Sequence, residues 1–153
     1  MPELENPILI AGFDGWGNAL DVAKAMAGFL IRKLGAVHFA KVDPDLFYRY
    51  DETRPLAHIE EGILKAVNPP GGSLYAVHGG PIGGRDMIIL RAHEPALRWG
   101  RFVNDLLTLC ENLGVGMIIT SHAYVRQEGQ AGPWQIGVSR TKPGPFARSW
   151  IFL

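Results

Sequence analysis

One pattern, present twice, limits what this chain can fold into. A short apolar run leads into a long stretch with apolar residues at helical spacing, and a second short apolar run follows. The first copy begins in PILIAGFDGWGN, residues 7–18, where Ile8–Ala11 predicts a short buried strand and glycines follow at Gly12, Gly15 and Gly17. From Ala19 to Leu34, apolar residues at Leu20, Val22, Ala23, Met26, Ala27, Leu30, Ile31 and Leu34 form a broad helical face. Arg32 and Lys33 sit in the last turn and Gly35 stands at the C-cap position, after which Val37–Val42 predicts the next strand. The second copy has a strand at Met87–Leu90, a helix from Glu94–Pro95 to Leu113, a terminating Gly114 and a strand at Val115–Thr120. Such units imply parallel strands joined by right-handed crossovers, hence an α/β domain with a mostly parallel sheet.

Between the two units, Leu56–Glu61 and Leu74–Val77 predict strands flanked by NPPGGS and HGGPIGGRD, a hairpin or meander on one side of the sheet. The last stretch, from Arg126 onward, has no helical period, and only Trp134–Val138 has the pattern of a strand. An α/β domain that ends so soon after its fourth or fifth strand is incomplete on one face. The expectation is therefore a C-terminal part that is missing or altered.

Bulk charge removes several function classes. Lys plus Arg and Asp plus Glu stand at 15 each, so no global field draws in nucleic acid or an anionic membrane. The chain is 47% hydrophobic and 20% charged, which leaves apolar surface for a subunit interface. Cys110 is the only cysteine, so neither an internal disulfide nor a cysteine-based zinc site can form, and its helical apolar setting predicts core packing. The start MPELENP has no basic or apolar leader region, and no apolar run reaches the roughly 18 residues of a membrane span. A cytoplasmic protein is expected.

The candidate chemistry lies in three loops. GFDGWGN has the spacing G-x-x-G-x-G rather than the dinucleotide G-x-G-x-x-G, and no Gly-Lys-Ser/Thr follows as a P-loop needs. Asp14 would repel a phosphate, so a structural turn with Asn18 or Asp14 capping the helix is favoured over a nucleotide site. HGGPIGGRD, residues 78–86, is either an anion-binding nest beside Arg85 or, by preference, a loop whose glycines supply positive φ. LRAHEP, residues 90–95, places Arg91, His93 and Glu94 after a strand, where open α/β sheets bind ligands. Ser121 and His122 follow a second strand, and Asp14 and Trp16 follow the first. Asp14, Gly15, Trp16, Arg85, Arg91, His93 and Glu94 are therefore the candidate ligand-binding set.

For catalysis the simpler expectation is that Glu94 occupies a first helical turn with Arg91 paired to it. No catalytic residue is assigned. The five histidines show no metal-ligand spacing, so no metal and no cofactor are expected. No G-x-S-x-G elbow occurs, and the loop aromatics lack a basic stripe for nucleic acid.

Four stretches in order, GFDGWGNALDVA, VDPDLFYRYDETRP, GGRDMIILRAHEPALRWGRF and LCENLGVGMIITSHAY, resemble the proteasome assembly chaperone 2 family over residues 7–125. That resemblance implies a three-layer α/β/α sandwich, similar to the nucleoside phosphorylase and peptidyl-tRNA hydrolase architectures, and homo-oligomers, a trimer among them. Family signature positions fall on Gly15, Trp16, Asp21, Asp43, Phe47, Tyr48, Arg54, Pro55, Arg85, Asp86, Glu94, Pro95 and Trp99. In eukaryotes the family's chaperone helps assemble proteasome α subunits, and archaeal relatives are proteasome-associated. Family members continue past TSHAY through a Pro-rich turn, further helices and a final strand, so residues 126–153 form a divergent tail to one domain spanning 1–153. The expected function is an oligomeric scaffold or chaperone-like interaction protein, leaning away from an enzyme, with itself and other proteins as partners. The alternative is a small-ligand or nucleotide-binding enzyme of phosphorylase or hydrolase type that uses the strand-end crevice.

Overall fold

The structure, a computed structural model, describes the backbone of residues 1–15, 21–123 and 136–141, and the side chains of residues 1–15 and 21–121. Its elements are β1 (Ile8–Asp14), α1 (Val22–Lys33), β2 (Val37–Val42), α2 (Pro44–Phe47), β3 (Leu56–Glu60), β4 (Ile63–Asn68), β5 (Gly72–Val77), β6 (Met87–His93), α3 (Trp99–Asn112), β7 (Met117–Ala123) and β8 (Ile136–Thr141). Six strands form one sheet in the order β2-β5-β6-β1-β7-β8, and β3 and β4 form a separate two-stranded sheet.

The sheet is mixed rather than mostly parallel in its pairings. β1 pairs in parallel with β6 and β7, whereas β2–β5, β5–β6 and β7–β8 are antiparallel. The first β–α–β unit therefore does not close on neighbouring strands. β2 runs in the same direction as β1 but lies beyond β5 and β6. The expected strands Leu56–Glu61 and Leu74–Val77 both form, as β3 and β5, but they do not pair: β3 pairs with β4 in a sheet of its own, and β5 pairs with β2 and β6.

Strand alternation divides the core into two. Leu9, Ala11, Ile88, Leu90 and Ala92 face α3 and pack with Cys110, Leu113, Val115 and Ile118. Ile8, Ile10, Met87 and Ile89 face the other way, against Ala27, Met26, Leu30 and Ile31 of α1. Both faces of β1 and β6 are covered, which explains their unbroken apolar runs. Gly12 sits where α1 crosses, and a Cβ there would collide with the Ala23 carbonyl oxygen and touch the Ala27 methyl.

Both long helices end in the same way. Gly35 has φ +60° and Gly114 φ +66°. Ala36 N–H donates to Ile31 O at 3.0 Å and Gly35 N–H to Arg32 O at 3.5 Å, and the equivalent bonds at α3 are Val115 N–H to Cys110 O and Gly114 N–H to Glu111 O. This is the Schellman arrangement that the sequence predicts at both positions.

The starts differ more. α3 begins at Trp99 instead of Glu94, because Ala96 N–H and Leu97 N–H donate to Phe47 O and hold the intervening loop on α2. α2 is a single turn opened by Asp43, whose Oδ1 accepts from Asp45 N–H at 3.0 Å, so Asp43 is a helix cap. β8 covers most of the strand expected near Trp134–Val138; Trp134 itself lies outside the described residues.

Candidate functional site

A cleft of about 680 Å³ opens at the carboxyl ends of β1, β2 and β6, on the face that carries α1. Asp14 ends β1 and His93 ends β6, and the two are register partners. Asp14 Oδ2 lies 2.7 Å from Lys24 Nζ of α1 and 3.5 Å from His93 Nε2. The Asp14 carbonyl oxygen also accepts from Glu94 N–H at 2.9 Å, which carries the β1–β6 pairing one step past the strand. Both ionic side chains are part-exposed, so the Lys24–Asp14 pair contributes at most about 1 kcal/mol.

His93 is held from every side. Its backbone N–H donates to Gly71 O at 2.8 Å, Gly71 N–H approaches Nδ1 at 3.3 Å, and its carbonyl accepts from Tyr48 Oη at 2.9 Å. The Tyr48 ring meets the imidazole edge-on at a centroid distance of 6.2 Å. Nδ1 also lies 3.1 Å from Gly71 O, so this nitrogen meets both polar groups of the Gly71 backbone while Nε2 faces the Asp14 carboxylate. Burial pushes the Tyr48 phenol well above the ordinary tyrosine range, so it stays a proton donor. Both imidazole nitrogens are thus engaged in tying the loop before β5 to the end of β1. That is a structural role first.

Three of the seven candidate residues line this cleft, Asp14, Arg91 and His93, while Gly15 and Glu94 lie against each other just past the ends of β1 and β6. The placement differs from the expectation. Arg91 and His93 lie inside β6 rather than after it, and Ser121 and His122 lie inside β7. Glu94 is not in a first helical turn, since α3 starts later, and its carboxyl group presses on the Cα of Gly15, where no Cβ would fit. Arg91 makes no ion pair among the described residues, so its expected pairing with Glu94 is absent. Trp16 lies outside the described residues.

Arg85 belongs to the opposite end of the sheet. It precedes β6, and at roughly 3.3 Å per residue the seven-residue strand separates it from the cleft by ~20 Å. Its Nη2 donates to Asn6 O at 2.8 Å and Asn6 Oδ1 at 3.0 Å, while Asp86 Oδ2 accepts from Glu5 N–H at 2.8 Å and Oδ1 from Gly79 N–H at 2.9 Å. These bonds hold the Asp86 carboxyl below the usual carboxylate range, with His78 adding to the effect. Gly79, Gly83 and Gly84 all have positive φ, as the favoured reading of HGGPIGGRD requires. The loop clamps the segment entering β1.

Sequence reasoning missed Lys24, Lys41, Ser73 and Tyr75, which also line the cleft, and the proline walls at Pro44, Pro69 and Pro70. The one available signal was alternation in GSLYAV, where Ser73 and Tyr75 oppose the buried Leu74 and Ala76. Cys110 is buried, and burial pushes its thiol up to about 12, so it is a packing residue as expected. Among the described residues no group of three or more His, Cys, Asp or Glu side chains is placed to hold a metal ion, and no helix is long and apolar enough to cross a membrane.

Comparison with known proteins gives a consistent picture. The model of the PAC2 family matches residues 9–147, past the residue-125 limit of the sequence resemblance. A PAC2 family protein from Streptomyces avermitilis superposes with a TM-score of 0.68 at 32% identity, over 74% of this chain and 48% of that one. The proteasome-assembly chaperone homologue of Mycobacterium tuberculosis gives 0.69 at 22% identity, over 82% of this chain and 64% of that one. PbaB of Pyrococcus furiosus, an archaeal proteasome activator, gives 0.56 at 23% identity, over 78% of this chain and 47% of that one. The last two likenesses are likenesses of fold. The chain spans between about half and two thirds of the length of these structures. No curated protein matches the sequence.

Proposed function

The chain belongs to the PAC2 family, and on that premise we propose that it acts as an oligomeric, chaperone-like scaffold for other proteins rather than as an enzyme. One observation carries this reading: the β3–β4 hairpin. Every residue of both strands is exposed, and Leu56, Ile59, Ile63, Leu64 and Val67 are each 55–73% exposed. A lone two-stranded hairpin is marginal in water, and each large apolar side chain gains about 1.5–3 kcal/mol on full burial. Such an arm is stabilised by a partner, and the occupant proposed is a second copy of the chain, with a trimer as one closed state. That two structural relatives are described as a proteasome-assembly chaperone homologue and a proteasome activator supports other proteins as further partners. The reading takes the fold as a three-layer α/β/α sandwich of phosphorylase or hydrolase kind, with α1 and α3 against opposite faces, and takes the protein as cytoplasmic.

Sedimentation of the intact chain tests it. The expected mass is a multiple of the 16.8 kDa subunit. The double substitution Ile59→Asp with Leu64→Asp is expected to give monomers with an unchanged far-UV circular dichroism spectrum. A wild-type chain that stays monomeric at every concentration, or a double variant that assembles as the wild type does, overturns the proposal.

The second reading, a small-ligand or nucleotide-binding enzyme, is favoured by one observation, the His93–Asp14 approach in the cleft. The engagement of both imidazole nitrogens argues against it.

A further inference from the structure

The floor of the cleft has an order of its own. Lys41 of β2 is the register partner of Ser73 of β5, Ser73 of Arg91 of β6, and Arg91 of Gly12 of β1. These residues form one row across four strands. All belong to the face that carries α1, because Arg91 and Gly12 lie two residues beyond Ile89 and Ile10, which pack on that helix. With strands about 4.8 Å apart, the Lys41 and Arg91 backbones stand ~10 Å from each other with the Ser73 hydroxyl between them.

α1 packs over β1, β6 and β7 and leaves the β2–β5 side of this face open. Lys41 and Arg91 therefore face the cleft, and among the described residues neither side chain makes an ion pair or a hydrogen bond. The cleft holds Lys24, Lys41 and Arg91 against one carboxylate, Asp14, and Lys24 already lies on it. The unbalanced cationic charge is that of Lys41 and Arg91. Pro44, Pro69 and Pro70 supply walls without N–H donors, and the Tyr75 ring adds an apolar surface next to Ser73.

We propose that the Lys41–Ser73–Arg91 row is a binding site for a small organic anion with two or more negative charges, a phosphate ester or a polycarboxylate. The guanidinium of Arg91 takes two oxygens of one anionic group in its planar fork. Ser73 donates its hydroxyl to the same group, and Lys41 neutralises a second charge from across the strand. The body of the ligand lies against Tyr75 and the prolines. A cleft of about 680 Å³ is of the size that holds such a molecule. The site is independent of the hairpin and of the assembly proposed above.

Titration calorimetry on the intact chain at low ionic strength tests the site, with pyrophosphate and citrate as the two probes. At least one probe is expected to bind saturably with one equivalent per chain, and the one that binds better separates a phosphate from a carboxylate ligand. Arg91→Gln and Lys41→Gln are each expected to weaken binding on the order of tenfold, with Arg91→Lys intermediate. Lys65→Gln, on the exposed β4 strand, is expected to bind as the wild type does. Arg91 and Lys41 are exposed, so the variants keep the fold, which far-UV circular dichroism checks. Binding of neither probe, or variants of Arg91 and Lys41 that bind like the wild type, overturns the proposal.

Discussion

The chain contains two β-hairpins of similar apolar content and opposite fate. In β5–β6, the apolar residues Leu74, Ala76, Val77 and Met87–Leu90 are all buried, because the hairpin lies within the sheet between β2 and β1. In β3–β4, apolar residues of the same kinds all face solvent. The joining loops differ as well. β5–β6 is connected by residues 78–86, whose Arg85 and Asp86 bind the segment before β1. β3–β4 turns in two residues, Glu61 and Gly62, both with positive φ, the compact type I′ geometry. Hydrophobicity alone does not tell a buried strand from an exposed one. What separates these two is that β5–β6 has a neighbouring strand on each side, whereas β3–β4 forms a two-stranded sheet of its own.

The largest expected contrast is in stability. Leu90→Ala in β6 removes a side chain that is fully buried, and a loss of about 2–5 kcal/mol is expected in denaturant unfolding. Leu64→Ala in β4 is expected to change the unfolding of the separated monomer by no more than about 0.5 kcal/mol. Equal losses at both sites would break the distinction between the hairpins.

A smaller effect concerns acid. The Asp86 carboxyl is held below its ordinary value first by the Glu5 and Gly79 N–H groups and then by His78. A depressed folded-state value means that its contribution is fully present above the unfolded carboxylate value near ~3.9 and is lost as pH falls through the folded one. Asp86→Asn is therefore expected to lower stability at neutral pH and to flatten the acid limb below about pH 4. Thermal melts across that range check it.

The smallest effect belongs to the short turn. Glu61 has φ +50°, a conformation that asparagine tolerates better. Glu61→Asn is expected to stabilise the β3–β4 hairpin by a few tenths of a kcal/mol, visible as slower amide exchange in β3 and β4 only.

Much of the framework was legible because it rests on local chemistry. The ends of α1 and α3 are written in Gly35 and Gly114, and β1 and β6 in apolar runs that only a doubly covered strand tolerates. Strand order was not legible, since nothing near Val37–Val42 says that β5 inserts between it and β6. β4 was missed because ILKAVN neither alternates nor runs apolar, and its placement follows from pairing with β3. The candidate site divides along the same line. Asp14 and His93 were findable as residues at strand ends. Arg85, read as part of the HGGPIGGRD loop, precedes its strand instead of ending it and so lies at the other end of the sheet. Lys41 and Ser73 become neighbours of Arg91 only through cross-strand register, which no local motif encodes.

Amide hydrogen exchange at two protein concentrations tests the central claim, that β3–β4 is an interface and β5–β6 a core. The account predicts β3–β4 amides that are protected at high concentration and exchange freely on dilution, while β5–β6 amides stay protected at both. Hairpin amides whose exchange is the same at both concentrations would contradict it.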